Sequence, residues 1–305
     1  MDRKRRQSDV DGDNNKEDSP LRGVVVLAHG SRQGSDTYDG LQRIVRRLHA
    51  RLGEDRAKVV LACLEFIQPD LVQAVTGLVD EGIIDITVMP FLLGKGTHVR
   101  EDLIEETKRA MSERPNARIR TASSFGCDPA MAEIVVERVL AQAANLNGSR
   151  SAHGKTKGVV IVKAGTRSSE EDHSWLFELG GIVEHRLGDG YAVGVAQSHF
   201  AEPTMEGAVR ELIENRGVSS ITCVPYIFFP GLILARNIIG GVEQIKGRYP
   251  NIEFSIAQTI GVDDKLIEAT AQKVLAVWEG FATMNQGEPL KHHELLVETK
   301  RKCVG

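Results

Sequence analysis

The sequence predicts an α/β protein built from two tandem Rossmann-like domains, each a mainly parallel four-stranded sheet flanked by helices. Three observations carry that prediction. Apolar, β-rich runs alternate with amphipathic segments through the middle of the chain. The runs are continuous stretches of Val, Ile and Leu, the pattern of strands buried on both faces by crossover helices. The series then starts again: Gly23-Val-Val-Val-Leu-Ala-His-Gly-Ser-Arg32 matches Gly158-Val-Val-Ile-Val-Lys-Ala-Gly-Thr-Arg167, Ile86-Thr-Val-Met-Pro90 matches Ile221-Thr-Cys-Val-Pro225, and Glu65-Phe-Ile-Gln-Pro69 matches His199-Phe-Ala-Glu-Pro203. The three spacings are 135, 135 and 134 residues, so a duplicated unit is the direct reading.

In order along the first copy, Gly23 to Ala28 reads as a strand and the region from about Tyr38 to Leu52 as a helix. Lys58 to Leu64 is a second strand and Pro69 to Glu81 a second helix. Ile84 to Pro90 is a third strand, followed by a helix from about His98 to Ser112. Ala117 to Ala122 and Pro129 to Ala144 complete the unit as strand and helix. The expected organisation is a charged tail over 1–20, a first domain over 21–145, a linker rich in Asn, Gly, Ser and Lys over 146–156, a second, degenerate copy over 157–284, and a polar tail over 285–305. The first tail carries the basic cluster Arg3, Lys4, Arg5, Arg6 and few bulky apolar groups; it reads as disordered. The second holds His292 and His293, which as sequence neighbours share no helix face and make a poor metal site.

Composition narrows the function class. The chain has 305 residues, 41% apolar and 26% charged, with a formal net charge of -4. That balance argues against a general nucleic-acid binder. Cys63, Cys127, Cys223 and Cys303 lie far apart with no CxxC pair, so a structural zinc or disulfide framework is not expected and a reducing, cytoplasmic setting is. No apolar run approaches the roughly 20 residues that span a bilayer.

In an open parallel sheet, ligands bind beyond the carboxyl ends of the strands. In the first copy those ends deliver Ala28-His29-Gly30-Ser31-Arg32, Leu64-Glu65-Phe66, and a loop running from Phe91 through Gly94-Lys95-Gly96-Thr97 to His98. Two imidazoles and a carboxylate at one sheet edge suit iron, cobalt, nickel or zinc. In the second copy His29 aligns with Ala164, Glu65 with His199 and His98 with Ala235. One metal site per chain follows, with the second copy a wall or lid over it and His199 an extra contact.

These residues resemble the sirohydrochlorin cobaltochelatase and ferrochelatase family, in its long two-domain form. The resemblance rests on Ala28 to Arg32, on Leu64-Glu65-Phe66 with Pro69, on Gly94-Lys95-Gly96-Thr97-His98 with Asp102-Leu103, and in the second copy on His199 to Pro203 and Pro225 to Gly231. It implies the class II chelatase fold, two halves facing a cleft. It implies that His29 and His98 bind a divalent metal substrate (Co²⁺ or Fe²⁺, with Ni²⁺ a further candidate), that Glu65 is their carboxylate partner, and that no organic cofactor is needed. His29, Glu65 and His98 are the catalytic candidates. Arg32, Lys95, Arg100 and His199 are candidate contacts for the carboxylates of a sirohydrochlorin-like tetrapyrrole. Lys163-Ala164 departs from a polar pair and puts histidines from both halves in doubt. The expected partners exclude nucleic acid and membrane, and the expected state is a monomer, since the duplication already supplies two faces. The competing readings are a metal or tetrapyrrole carrier on the same fold and a phosphatase-type hydrolase. Ala28, where histidine phosphatases carry Arg before their His, argues against the latter, and no GxxxxGK[ST] phosphate loop is present.

Overall fold

A computed structural model describes residues 20–30, 35–94, 97–146, 156–165 and 172–284. The two tails, most of the linker, Arg32 and Lys95 fall outside them; for Thr97 to Arg100 only the backbone is described. The first half runs β1 (Arg22–Ala28), α1 (Ser35–Leu52), β2 (Ala57–Cys63), α2 (Leu71–Asp80), β3 (Asp85–Pro90), α3 (Thr97–Glu113), β4 (Arg118–Thr121) and α4 (Pro129–Leu146). The second runs β5 (Lys157–Lys163), α5 (Ser174–Leu187), β6 (Tyr191–Gln197), α6 (Met205–Glu214), β7 (Ser220–Tyr226), a π-helical stretch (Ile233–Ile239) continuing into α7 (Gly240–Lys246), β8 (Glu253–Ile256) and α8 (Asp264–Met284).

Both sheets are wholly parallel, in the orders β2-β1-β3-β4 and β6-β5-β7-β8. The order follows from burial. β1 and β5 are hydrogen-bonded on both sides, and their side chains from Val24 to Leu27 and from Val159 to Val162 are essentially inaccessible to water. Only strands apolar on both faces tolerate that position. The structure starts α2 two residues later than the periodicity predicts. Asp70 caps it, accepting the Gln73 N–H at 2.8 Å while the Gln73 side chain accepts the Asp70 N–H at 3.2 Å.

Alternation along β1 divides the core. Val25 and Leu27 face a cluster with Leu71, Val75 and Leu78 of α2. Val24, Val26 and Ala28 face a second cluster that also holds Val159 and Ile161 of β5. That cluster is one shared core, because the last helix of each half crosses over. α4 packs on α5, β7 and α8, and α8 packs on α1 and β3. Trp278 of α8, buried, donates its indole N–H to Thr87 Oγ1 of β3 at 3.1 Å. Arg138 of α4 donates to Thr259 O and Ile260 O and pairs with Asp263 at 2.9 Å, all at the approach to α8. The second half is therefore more than the expected wall or lid: it supplies a helix of the first half's core, and the exchange is reciprocal.

Candidate metal and tetrapyrrole site

His29 stands one residue beyond the central strand β1, exposed. The turn that presents it needs glycine next. Gly30 has φ +94°, and a Cβ there would lie 1.9 Å from Glu65 O. That close approach lets the ladder continue past the strands: Leu64 N–H donates to Ala28 O and Glu65 N–H to His29 O, each at 2.9 Å. The backbones of His29 and Glu65 are thus tied directly, and the Glu65 side chain is exposed beside them. β3 flanks β1 on its other side, and the loop it feeds enters α3, whose first turn holds His98. The strand order brings the three candidates to one carboxyl edge, with the His29 strand between the other two. Among the described side chains no three of His, Cys, Asp or Glu form a metal-binding group; the side chains of His98 and Arg100, and Arg32 and Lys95 entirely, lie outside that description. Cys63, at the end of β2, is buried, and burial pushes its thiol up to about 11, so it stays protonated at neutral pH.

The second half repeats the turn without the ligand. Ser198 N–H donates to Lys163 O at 2.9 Å, and a Cβ on Gly165 would lie 2.1 Å from His199 O. Ala164 occupies the His29 position and offers no donor atom. His199 occupies the Glu65 position, its Nδ1 2.6 Å from Ser198 Oγ, which accepts the Gly165 N–H at 3.2 Å. The Ser198 hydroxyl, which can both donate and accept, thus ties the His199 ring to the turn through Nδ1 and leaves Nε2 as the ring's other polar atom.

The two carboxyl edges meet. Phe91, directly after β3, stacks on Phe228, just after β7, with centroids 4.2 Å apart and planes 20° apart; Phe125 packs edge-on to Phe91 at 5.6 Å. Beside this stack lie two knob-and-hole contacts. A Cβ on Gly40 of α1 would lie 2.4 Å from the Phe229 ring, and one on Gly94 would lie 3.1 Å from the Trp175 ring of α5. Sequence reasoning missed this junction. The repeat carries part of its signal: at the 135-residue spacing Gly40 aligns with Trp175, a small-for-large exchange between α1 and α5. A groove of about 840 Å³ lies elsewhere, along the outer strand β6 between α5 and α6, and touches the carboxyl edge only at Glu202 and Pro203. No helix among the described residues is long and apolar enough to cross a membrane.

Fold and edge together define a two-lobed parallel α/β protein whose central first-lobe strand leads directly into His29. The chain belongs to the CbiX family: the family model matches residues 23–142 and again 158–277. It is similar to a sirohydrochlorin ferrochelatase of Priestia megaterium, 24% identical over 264 residues that cover 85% of this chain and 91% of that protein. It is also similar to a sirohydrochlorin cobaltochelatase of Sulfurisphaera tokodaii, 29% identical over 121 residues, which are 39% of this chain and 92% of that much shorter protein. Among solved structures, SirB from Bacillus subtilis with Fe³⁺ shares the fold, with a TM-score of 0.71 and 19% identity, covering 87% of this chain and 98% of that one.

Proposed function

We propose that this protein inserts a divalent metal ion, Co²⁺ or Fe²⁺, into sirohydrochlorin or a closely related tetrapyrrole, as a chelatase of the lyase class. The observation that carries the reading is the placement of His29 directly after the central strand, tied by its own carbonyl to Glu65, between the strands that lead to Glu65 and His98. Membership of the CbiX family and the names of its relatives supply the substrate class.

Insertion requires the macrocycle to lose two N–H protons as the metal enters. A neutral imidazole can ligate a metal or accept a proton near neutral pH. In this reading His29 and His98 hold the incoming ion with coordination positions left open to the ring, and Glu65 orients an imidazole or receives a proton. Arg32, Lys95 and Arg100 pair with the substrate's carboxylates, and His199 donates to one from the other half. The metal is a substrate and no organic cofactor takes part. The protein works as a cytoplasmic monomer without nucleic acid or membrane. The test is absorbance-monitored metallation of sirohydrochlorin with Co²⁺, Fe²⁺ and Ni²⁺ in turn, corrected for the spontaneous rate. Turnover with at least one metal supports the reading; tight ring binding without turnover identifies a carrier.

A further inference from the structure

Phe66 and Phe200 break two rules at once. Each has a positive φ, +67° and +79°, which a bulky side chain adopts only under strain. Each is also more than half exposed, 51% and 57%, so burial of the ring does not offset that strain. They occupy equivalent places: Phe66 follows Glu65 beyond β2, and Phe200 follows His199 beyond β6. At Phe66 the source of the strain is visible. Ile67 N–H donates to Glu65 O at 2.8 Å, so Phe66 is the central residue of a γ-turn of the rare, strained hand.

The halves differ at the neighbouring positions, His29 against Ala164 and Glu65 against His199, yet both present a strained, exposed aromatic ring. Position supplies the rest of the argument. The edges join at the Phe91–Phe228 stack beyond β3 and β7, whereas β2 and β6 are the outer strands on the far side of β1 and β5 from that junction. Phe66 and Phe200 therefore stand at the two outer limits of one composite edge, with His29 between Phe66 and the junction. A conjugated macrocycle has broad apolar faces and a carboxylated rim. The cationic candidates serve the rim and leave its faces without a partner, and an aromatic ring is the side chain that binds such a face.

We infer that Phe66 and Phe200 are substrate-positioning residues that hold the faces of the tetrapyrrole against the metal-bearing edge. The inference rests on the chelatase reading above. The experiment titrates sirohydrochlorin, without metal, into the full-length protein and reads its Kd from the absorbance change. Phe66→Gly and Phe200→Gly remove the ring and accept a positive φ without strain, so circular dichroism should show the fold kept. Each should raise Kd roughly tenfold, and Phe66→Tyr and Phe200→Tyr should restore it. His199 leans on Phe200 with ring centroids 4.0 Å apart. His199→Ala is therefore measured alongside, and Phe200→Gly must weaken binding more than it does. Co²⁺ binding to the free protein, followed by calorimetry, should not change in either glycine variant. Ring affinity within twofold of wild type in folded glycine variants overturns the inference alone. So does a loss of Co²⁺ affinity matching the loss of ring affinity, which would make Phe66 a support for Glu65. A wild-type protein that binds no ring overturns the chelatase reading, and this inference with it.

Discussion

The two halves share one topology and divide the labour. Both end their central strand in a turn that presses glycine against a neighbouring carbonyl, at Gly30 and at Gly165. The first places an imidazole at that turn; the second places Ala164 there, with His199 hydrogen-bonded through Nδ1 to Ser198 beside it. Where the halves touch, they have diverged in complement: a glycine in α1 receives Phe229, and a tryptophan in α5 fills the space left by Gly94. The difference teaches that the second half has become a structural partner fitted to the first, while the first kept the candidate ligands.

The strongest test of that partnership is separation. Residues 21–146 alone would lack α8, leaving the faces of α1 and β3 that it covers open to water. The expected outcome is no folded monomer, only an unfolded chain or a concentration-dependent dimer that exchanges α4 between copies, read by circular dichroism and size-exclusion chromatography across concentrations. A stable monomer at micromolar concentration would show that the crossover is not needed for stability.

Substitutions at the junction should show the complement more locally. Trp175 is buried to within 3% of full, and Trp175→Ala should cost about 3–5 kcal/mol of unfolding free energy. Gly40→Ala pushes a methyl group into the Phe229 ring and should cost about 1–3 kcal/mol. Denaturant melts of both variants measure this. If Gly40→Ala is neutral while Trp175→Ala is severe, the two contacts are not equivalent and the exchange of knob and hole is incidental.

The chemical side of the comparison is sharpened at the turns themselves. His29→Ala should lower the metallation rate at least about 100-fold while leaving the melt unchanged. His199→Ala, in the other half, should lower it less than about tenfold, because a single hydrogen bond to a substrate carboxylate is lost. Initial rates at saturating ring and metal decide. Equal losses would make the second half catalytic and end the single-site reading.

How much of this could be read in the sequence varies from place to place. The strands were legible because Val24 to Leu27 and Val159 to Val162 are apolar without alternation, which only a doubly covered strand requires. The His29–Glu65 edge was legible because a parallel sheet sends every carboxyl end the same way. The start of α2 was legible in Asp70 and Gln73, three residues apart, although periodicity alone set it at Pro69. The crossover of α4 and α8 was not, since an apolar helix face reads the same whichever sheet it covers. Nor were the positive φ values of Phe66 and Phe200, because no composition marks a phenylalanine held in a glycine-like conformation.

The smallest expected effect concerns a feature on the second half's outer strand. Glu184 of α5 accepts the Val193 N–H of β6 at 2.7 Å and the Arg216 guanidinium at 2.7 Å. Partial burial pulls its carboxyl upward, but the bond from Arg216, the bond from Val193 N–H and the charge of Arg216 together outweigh burial and hold it below the ordinary glutamate value. A carboxylate depressed in the folded state adds stability that is fully present above the unfolded value of about 4.3 and is lost as pH falls through the folded one. Glu184→Gln keeps an acceptor for Val193 N–H and removes the charge. The variant should therefore be less stable than wild type at pH 7, by at most about 1 kcal/mol given the solvent exposure of the pair. That deficit should shrink as pH falls below about 4.3 and vanish once the wild-type carboxylate is protonated. Urea melts of both proteins at pH 7, 5 and 3 follow the difference. A deficit that persists unchanged at pH 3 would place the contribution of Glu184 in its packing against β6 and not in its charge.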